Sequence, residues 1–533
     1  MLPFRSRHRV QGMKFSNRPS TGTRSSLRNC TSQVASRRFP LEERAFPCKM
    51  GGNKRAFDGG HTNASELTFW CDSMLHHSSQ CLGLTRRQVL QTGAISTLGL
   101  TLPQFLEATT AASKRPAREK SCIFIFQYGG LSQLDSWDPK PNSPAEIRGP
   151  YRPIATSVPG FQVGELMPRL ARLANRYAVI RSMSHRVPVH DVANRMLLAG
   201  QSLPALNAPS FGTIVSKLRP SQASVPSQVW LQKFGGGAMP PDATYLTGGS
   251  LGMAYAPLLI GMTHDDNPAT PGFRVRAFDS SEGLAPDRVQ TRRNLLTQLE
   301  SYQRPLPGGD AMLRSRQRAY DLLSGSAARQ AFDIEREPAS VRDRYGRHPL
   351  GQNLLLARRL IEAGVRLANV VAWCGLAPGD RFLSVETWDM HGNAGIDIFG
   401  NGWNGLGWAM PCCDQAVSAL IEDLEQRGLL DTTLVVLVGE FGRTPRISRG
   451  GSAIGRDHWP NCYSAMLAGA GVRAGAVYGA SDSRAAYVQD NPVSPEDFAA
   501  TLFHALDIPP DSGISPDGFS LRASTGWTIH GLF

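Results

Sequence analysis

Hydrophobic positions along this chain come in short blocks whose period switches between that of a strand and that of a helix. Cys122 to Phe126 (CIFIF) is a continuous apolar run ending in Gly129-Gly130, the pattern of a strand buried on both faces and followed by a tight loop. A helical pattern over 166–175 leads into a strand from Tyr177 to Ile180 and then into Ser182-Met183-Ser184-His185. A helix over 352–363, closed by Gly364, precedes a strand over 365–373. The stretch 414–427 carries Val417, Leu420, Ile421 and Leu424 on one helical face, and Gly428 closes it before the strand Leu434 to Val438. Ser494-Pro495-Glu496-Asp497 opens a further helix with an N-cap, a proline at N1 and acids in the first turn.

Strands alternating with helices predict an α/β domain: three layers, with a mostly parallel sheet covered by helices on both faces. Between about 271 and 346 the pattern is helical and highly charged, which reads as an inserted helical cap. In an open α/β sheet, ligands bind beyond the carboxyl ends of the strands. The unusual polar residues fall there: Asp135 after the first strand, His185 and His190 after the second, and Glu440 with Arg443 after the strand ending at Val438. Trp388-Asp389-Met390-His391-Gly392-Asn393 and Gly455-Arg456-Asp457-His458-Trp459 lie in glycine-rich loops.

Charge changes the picture less than its total suggests. The net charge is +13, but residues 1–87 hold 15 Lys+Arg against 5 Asp+Glu, leaving 42 against 39 for the rest. The basicity belongs to the leader, so nucleic acid is excluded as the partner. Within that leader, Thr85-Arg86-Arg87 precedes a weakly apolar stretch over 94–106 and small residues at Ala108, Ala111 and Ala112. This is the pattern of a twin-arginine export signal over 81–112, against an ordinary helix start with a chance Arg-Arg. It predicts a periplasmic or extracellular protein beginning after about Ala112. Residues 1–80 read as a disordered basic extension or a start codon assigned too far upstream. No run approaches the roughly 18 apolar residues of a transmembrane helix. The nine cysteines form no Cys-x-x-Cys pair and read as buried or free thiols.

Asp389 and His391 stand two apart, so on an extended loop both turn toward one cation. His458 adds a second imidazole, and Asp457 or Glu440 a further carboxylate. Such a centre polarises a phosphoryl or sulfuryl oxygen. Arg443 and Arg456 either clamp the anionic group or pair with carboxylates, Glu440 being the nearest in sequence to Arg443.

The body resembles the bacterial family called domain of unknown function 1501. The stretches carrying the resemblance are 129–160, RSMSHRVPVHDVANRMLLAG (181–200), 345–366, TWDMHGN (387–393), GEFGRTPRI (439–447) and 455–482, which together span nearly all of 121–533. That family is similar to the alkaline phosphatase and sulfatase superfamily. The resemblance implies that fold for 121–533, one or two divalent cations (zinc, manganese or calcium), and metal ligands Asp389, His391 and His458, with Glu440 in place of the usual Asp. Phe441 stands where a second site would have its His. His190 falls near the nucleophile position, where no Ser, Thr or Cys stands, and is either a nucleophile or a hydrogen-bonding or metal-ligating His. The expectation is an exported metal-dependent hydrolase of small-molecule or polysaccharide phosphate or sulfate esters. The alternative is a non-catalytic, metal-stabilised binding protein on the same scaffold.

Overall fold

The computed structural model describes residues 119–232, 247–261, 263–275, 278, 286–301, 316, 320, 326–392, 395–449, 452–515 and 521–533. The expected leader and export signal lie outside the described residues. An eight-stranded sheet is built from β1 (Ser121–Phe126), β2 (Tyr177–Met183), β3 (Gln228–Leu231), β4 (Leu258–Ile260), β5 (Leu367–Val371), β6 (Thr433–Val438), β7 (Tyr463–Ala468) and β8 (Val477–Tyr478), in the order β8-β2-β7-β6-β1-β5-β3-β4. Every neighbouring pair is parallel except those made by β7, which runs antiparallel to both β2 and β6. The sheet is therefore mostly parallel, as the alternation of elements predicts.

Side chains alternate across this sheet, and both faces are buried. Ile123 and Ile125 join one apolar cluster with Val435 and Leu437; Phe124 and Phe126 join the other with Val436 and Val438. On the first face lie α1 (Pro168–Arg172), α4 (Pro349–Glu362) and α5 (Leu406–Gln426), which contribute Leu170, Leu354 and Leu420. On the second lie α2 (His190–Ala199), α3 (Phe211–Leu218) and α6 (Pro495–Ala505), which contribute Leu197, Ile214 and Leu502. Leucines with no solvent exposure, such as Leu354 and Leu420, are the kind whose truncation to Ala costs about 2–5 kcal/mol. Of the charged stretch 271–346, the helices Ser326–Phe332 and Ala339–Tyr345 place Phe332 and Tyr345 in the first cluster, while Pro286–Ser301 is exposed at most of its described side chains. No helix among the described residues is long and apolar enough to cross a membrane.

The topology assembles the site. β1, β5 and β6 are parallel, so the loops after Phe126, Val371 and Val438 all leave the same edge of the sheet. β7 runs the other way, which puts the residues before Tyr463 at that edge too. There the pair Gly442–Arg443 forms a short antiparallel ribbon with His458–Trp459. Two glycines are fixed by closeness. Gly129 has φ +111°, and a Cβ on it would collide with the backbone of Trp388 and Asp389; one on Gly455 would collide with the backbone of His391.

Candidate metal centre

Four side chains from three places in the chain meet at this edge. His190 opens α2, Asp389 and His391 come from the loop after β5, and His458 comes from the ribbon before β7. Their ligand-capable atoms all lie within 4.8 Å of one another. Asp389 Oδ1 is 2.9 Å from His391 Nε2, 3.2 Å from His458 Nε2 and 3.3 Å from His190 Nε2. His391 Nε2 and His458 Nε2 are 2.8 Å apart.

The outer nitrogens of these rings decide what the inner ones are. His190 Nδ1 donates to Glu440 Oε1 at 2.6 Å, His391 Nδ1 to Asp457 Oδ1 at 2.8 Å, and His458 Nδ1 to the Pro188 carbonyl at 2.8 Å. Each partner is an acceptor, so each Nδ1 carries the proton and each neutral ring turns a lone pair inward at Nε2. Three imidazole lone pairs and a carboxylate oxygen then face one another with no donor between them, except the Arg443 guanidinium at 2.6 Å from Asp389 Oδ1. Only a cation or an added proton satisfies such a cluster. The donor set is one that a divalent cation would fit: imidazole with one carboxylate suits a borderline metal such as zinc. Calcium, which takes six to eight oxygen ligands, does not match a set of three nitrogens.

Protons respond to the same geometry. Burial opposes a charge on His190, but hydrogen bonds to Asp389 and Glu440 outweigh it and push its pKa up to about 9 in the absence of a cation. Asp389 is desolvated, yet Arg443 and the three histidines hold it well below the usual carboxylate range. His458 is lowered by burial and by the nearby Arg443 and His190 charges, with its bond to Asp389 opposing.

Glu440 has no solvent exposure and stands behind His190. Its carboxylate accepts from His190 Nδ1 and from the Gly129 amide at 2.9 Å, so it orients a ring and does not enter the four-atom cluster. His190, at the first position of α2, has its Nδ1 bound to Glu440 and its Nε2 turned to Asp389, the posture of a ligand. Arg443 is not a clamp. It too has no solvent exposure; its guanidinium donates to the carbonyls of Gly129, Gly130 and Arg456 and to Asp389. It pairs with Asp389 and not with Glu440. Arg456 is equally buried and is spent on Asp135 and the Ile147, Thr444 and Pro445 carbonyls. Phe441 packs its ring against His190 and His458, with centroids 4.9 and 4.5 Å away.

Two supports carry little sequence signal. His185 Nε2 donates to the Glu440 carbonyl at 2.6 Å while its Nδ1 accepts from the Val187 amide, tying the loop after β2 to the end of β6. Buried Glu386 lies against the Tyr128 hydroxyl, whose pKa is raised by burial and by that carboxylate. Position relative to a strand end flagged His185; nothing local distinguishes Glu386 from a surface carboxylate.

Among solved structures, the chain is similar to the phosphonate monoester hydrolase SpPMH from Silicibacter pomeroyi, with 15% identity and a TM-score of 0.31 over 77% of this chain and 75% of that one. It is similar to the PsFucS1 sulfatase from Pseudoalteromonas sp., with 12% identity and a TM-score of 0.32 over 79% and 76%. A protein in the alkaline phosphatase superfamily from Vibrio parahaemolyticus matches with 11% identity and a TM-score of 0.33 over 74% and 67%. No curated protein matches. The family model described as "Protein of unknown function (DUF1501)" matches residues 119–522, and the chain belongs to that family.

Proposed function

We propose that this protein is a metal-dependent hydrolase of phosphate or sulfate esters that works outside the cytoplasm. The observation that carries the reading is the convergence of four acceptor atoms from His190, Asp389, His391 and His458 at the carboxyl edge of the sheet, each imidazole oriented from behind. When bound there, a divalent cation supplies Lewis acidity toward a phosphoryl or sulfuryl oxygen. The chain's own residues do the rest. Glu440, Asp457 and the Pro188 carbonyl hold the three rings in one tautomer, and Arg443 keeps Asp389 ionised. Phe441 excludes water from one side of the rings. The proposed reaction is direct. A water oxygen forms the new bond to phosphorus or sulfur, the ester bond breaks, and the alcohol leaves with a proton. Export rests on Arg86-Arg87 and the weakly apolar stretch after them.

The test is turnover of a panel of aryl phosphates and aryl sulfates by the full chain loaded with zinc or manganese. Hydrolysis that requires the metal and is lost in Asp389→Asn supports the reading. One observation favours a second reading, a metal-stabilised binding protein without turnover. Four protein donors are the number found in closed structural zinc sites, whereas catalytic sites keep a position open. Stoichiometric metal with silence across the panel selects that reading. Replacing both leader arginines by lysine and following an exported reporter tests the location, unchanged export being the contrary result.

A further inference from the structure

An anionic ester needs a cation at the mouth of the centre, and the two arginines in the ribbon and loop that carry His458 are unavailable for it. Arg443 and Arg456 are fully buried, with their guanidinium groups committed to Asp389, Asp135 and backbone carbonyls. The loop from Ser184 to Val189 supplies a replacement. It is pinned to the centre along its length: His185 Nε2 donates to the Glu440 carbonyl, and His458 Nδ1 donates to the Pro188 carbonyl. His190, itself in the cluster, follows directly. The His185 amide is further tied to the Pro460 carbonyl at 2.9 Å. Arg186 stands between these anchors. It is exposed and makes no hydrogen bond or ion pair among the described residues. Arg446 and Arg449 are also exposed; Thr444 and Ser448 tie their loop to Asp457, which stands behind His391.

We infer that Arg186 recognises the tetrahedral oxyanion of the ligand, phosphate or sulfate, at the metal centre. The inference rests on the ester reading above and names the residue that sets its specificity for charge. A guanidinium suits the task because its planar fork donates two parallel hydrogen bonds to such an anion. The pinned loop holds the residue's backbone in place, so little order is lost on binding.

The test is calorimetric titration of the zinc-loaded full chain with inorganic phosphate and, separately, inorganic sulfate, the two arms showing which anion fits. Arg186→Glu is expected to weaken binding about tenfold or more, and Arg186→Lys to give an intermediate loss because it keeps charge without the fork. Metal content stays at the wild-type value in both. Arg473→Glu is the charge-matched control: Arg473 is exposed beyond the far end of β7, at the opposite edge of the sheet, and its change leaves binding within about twofold. Equal binding by wild type and Arg186→Glu overturns the proposal. So does an equal loss in Arg473→Glu, or failure of the zinc-loaded wild type to bind either anion. Binding that depends on Arg186 in a protein that turns over no ester upholds the proposal and removes the hydrolase reading.

Discussion

Two buried clusters of charged side chains in this molecule are built on opposite plans. Between α4 and α5, Arg358 meets Glu337 at 2.8 Å, Glu362 at 2.7 Å and Asp423 at 3.0 Å, while Tyr345 donates to Asp423 at 2.8 Å and Arg427 does so at the same distance. Each carboxylate there faces a permanent donor. Glu337 is held below its ordinary pKa by Arg358 and Arg359 despite its burial. At the sheet edge, Asp389 and three imidazole rings face one another, with Arg443 the one permanent cation touching them among the described residues. A cluster that balances its own charge locks helices together and asks for nothing more. A cluster with surplus acceptors is satisfied by a cation or by an added proton, and that difference sets the two plans apart.

The largest expected effect lies in the balanced cluster. Arg358→Ala removes the buried cation shared by Glu337, Glu362 and Asp423 and should cost about 3–5 kcal/mol of stability, read as a lower denaturation midpoint, with metal content unchanged. Loss of metal in that variant without unfolding would blur the distinction between the clusters. Glu440→Gln keeps the shape behind His190 but weakens its acceptor. It should lower metal affinity about 10–100-fold in a metal titration, with little change in the stability of the metal-free protein.

Acidity should separate the metal-free and metal-loaded forms. In the metal-free protein, His190 has its pKa raised to about 9 from an ordinary 6.5, so the stability it contributes is complete below about pH 6.5 and is lost as pH rises toward 9. The metal reverses the sign, because its ligands must be deprotonated: occupancy weakens as pH falls. Thermal melts of both forms across this range check the crossing. The smallest effect belongs to His348, the N-cap of α4, whose pKa burial lowers to about 4. Stability linked to it is present above about pH 6.5 and declines as pH falls toward 4. His348→Asn retains a capping acceptor and should flatten that decline.

The fold was legible where local pattern and tertiary role agree. The buried strands announce themselves as apolar runs, and the capping box made by Ser494 and Asp497 matches the helix opening read there. α5 begins at Leu406, earlier than its clear apolar face at 414, because Pro411 sits inside the helix and hides its first turns. β3 and β7 are short segments fixed by neighbours distant in sequence, and β7's reversed direction has no local signal. Asp389, His391 and His458 stood out because short glycine-rich loops carry them. The burial of Arg443 and Arg456 was not legible. Their partners Asp389 and Asp135 lie 54 and 321 residues away, and a charge is buried only where such a partner arrives.

The proposed function requires that three imidazoles and one carboxylate form a single cation site. Elemental analysis of the purified full chain, beside its His391→Ala, His458→Ala and His504→Ala variants, tests it most directly. His504 lies on α6 against His530 and Phe533 and outside the cluster. One divalent cation per chain is expected in the wild type and in His504→Ala, and little or none in the other two. Full stoichiometry in both His391→Ala and His458→Ala would contradict it.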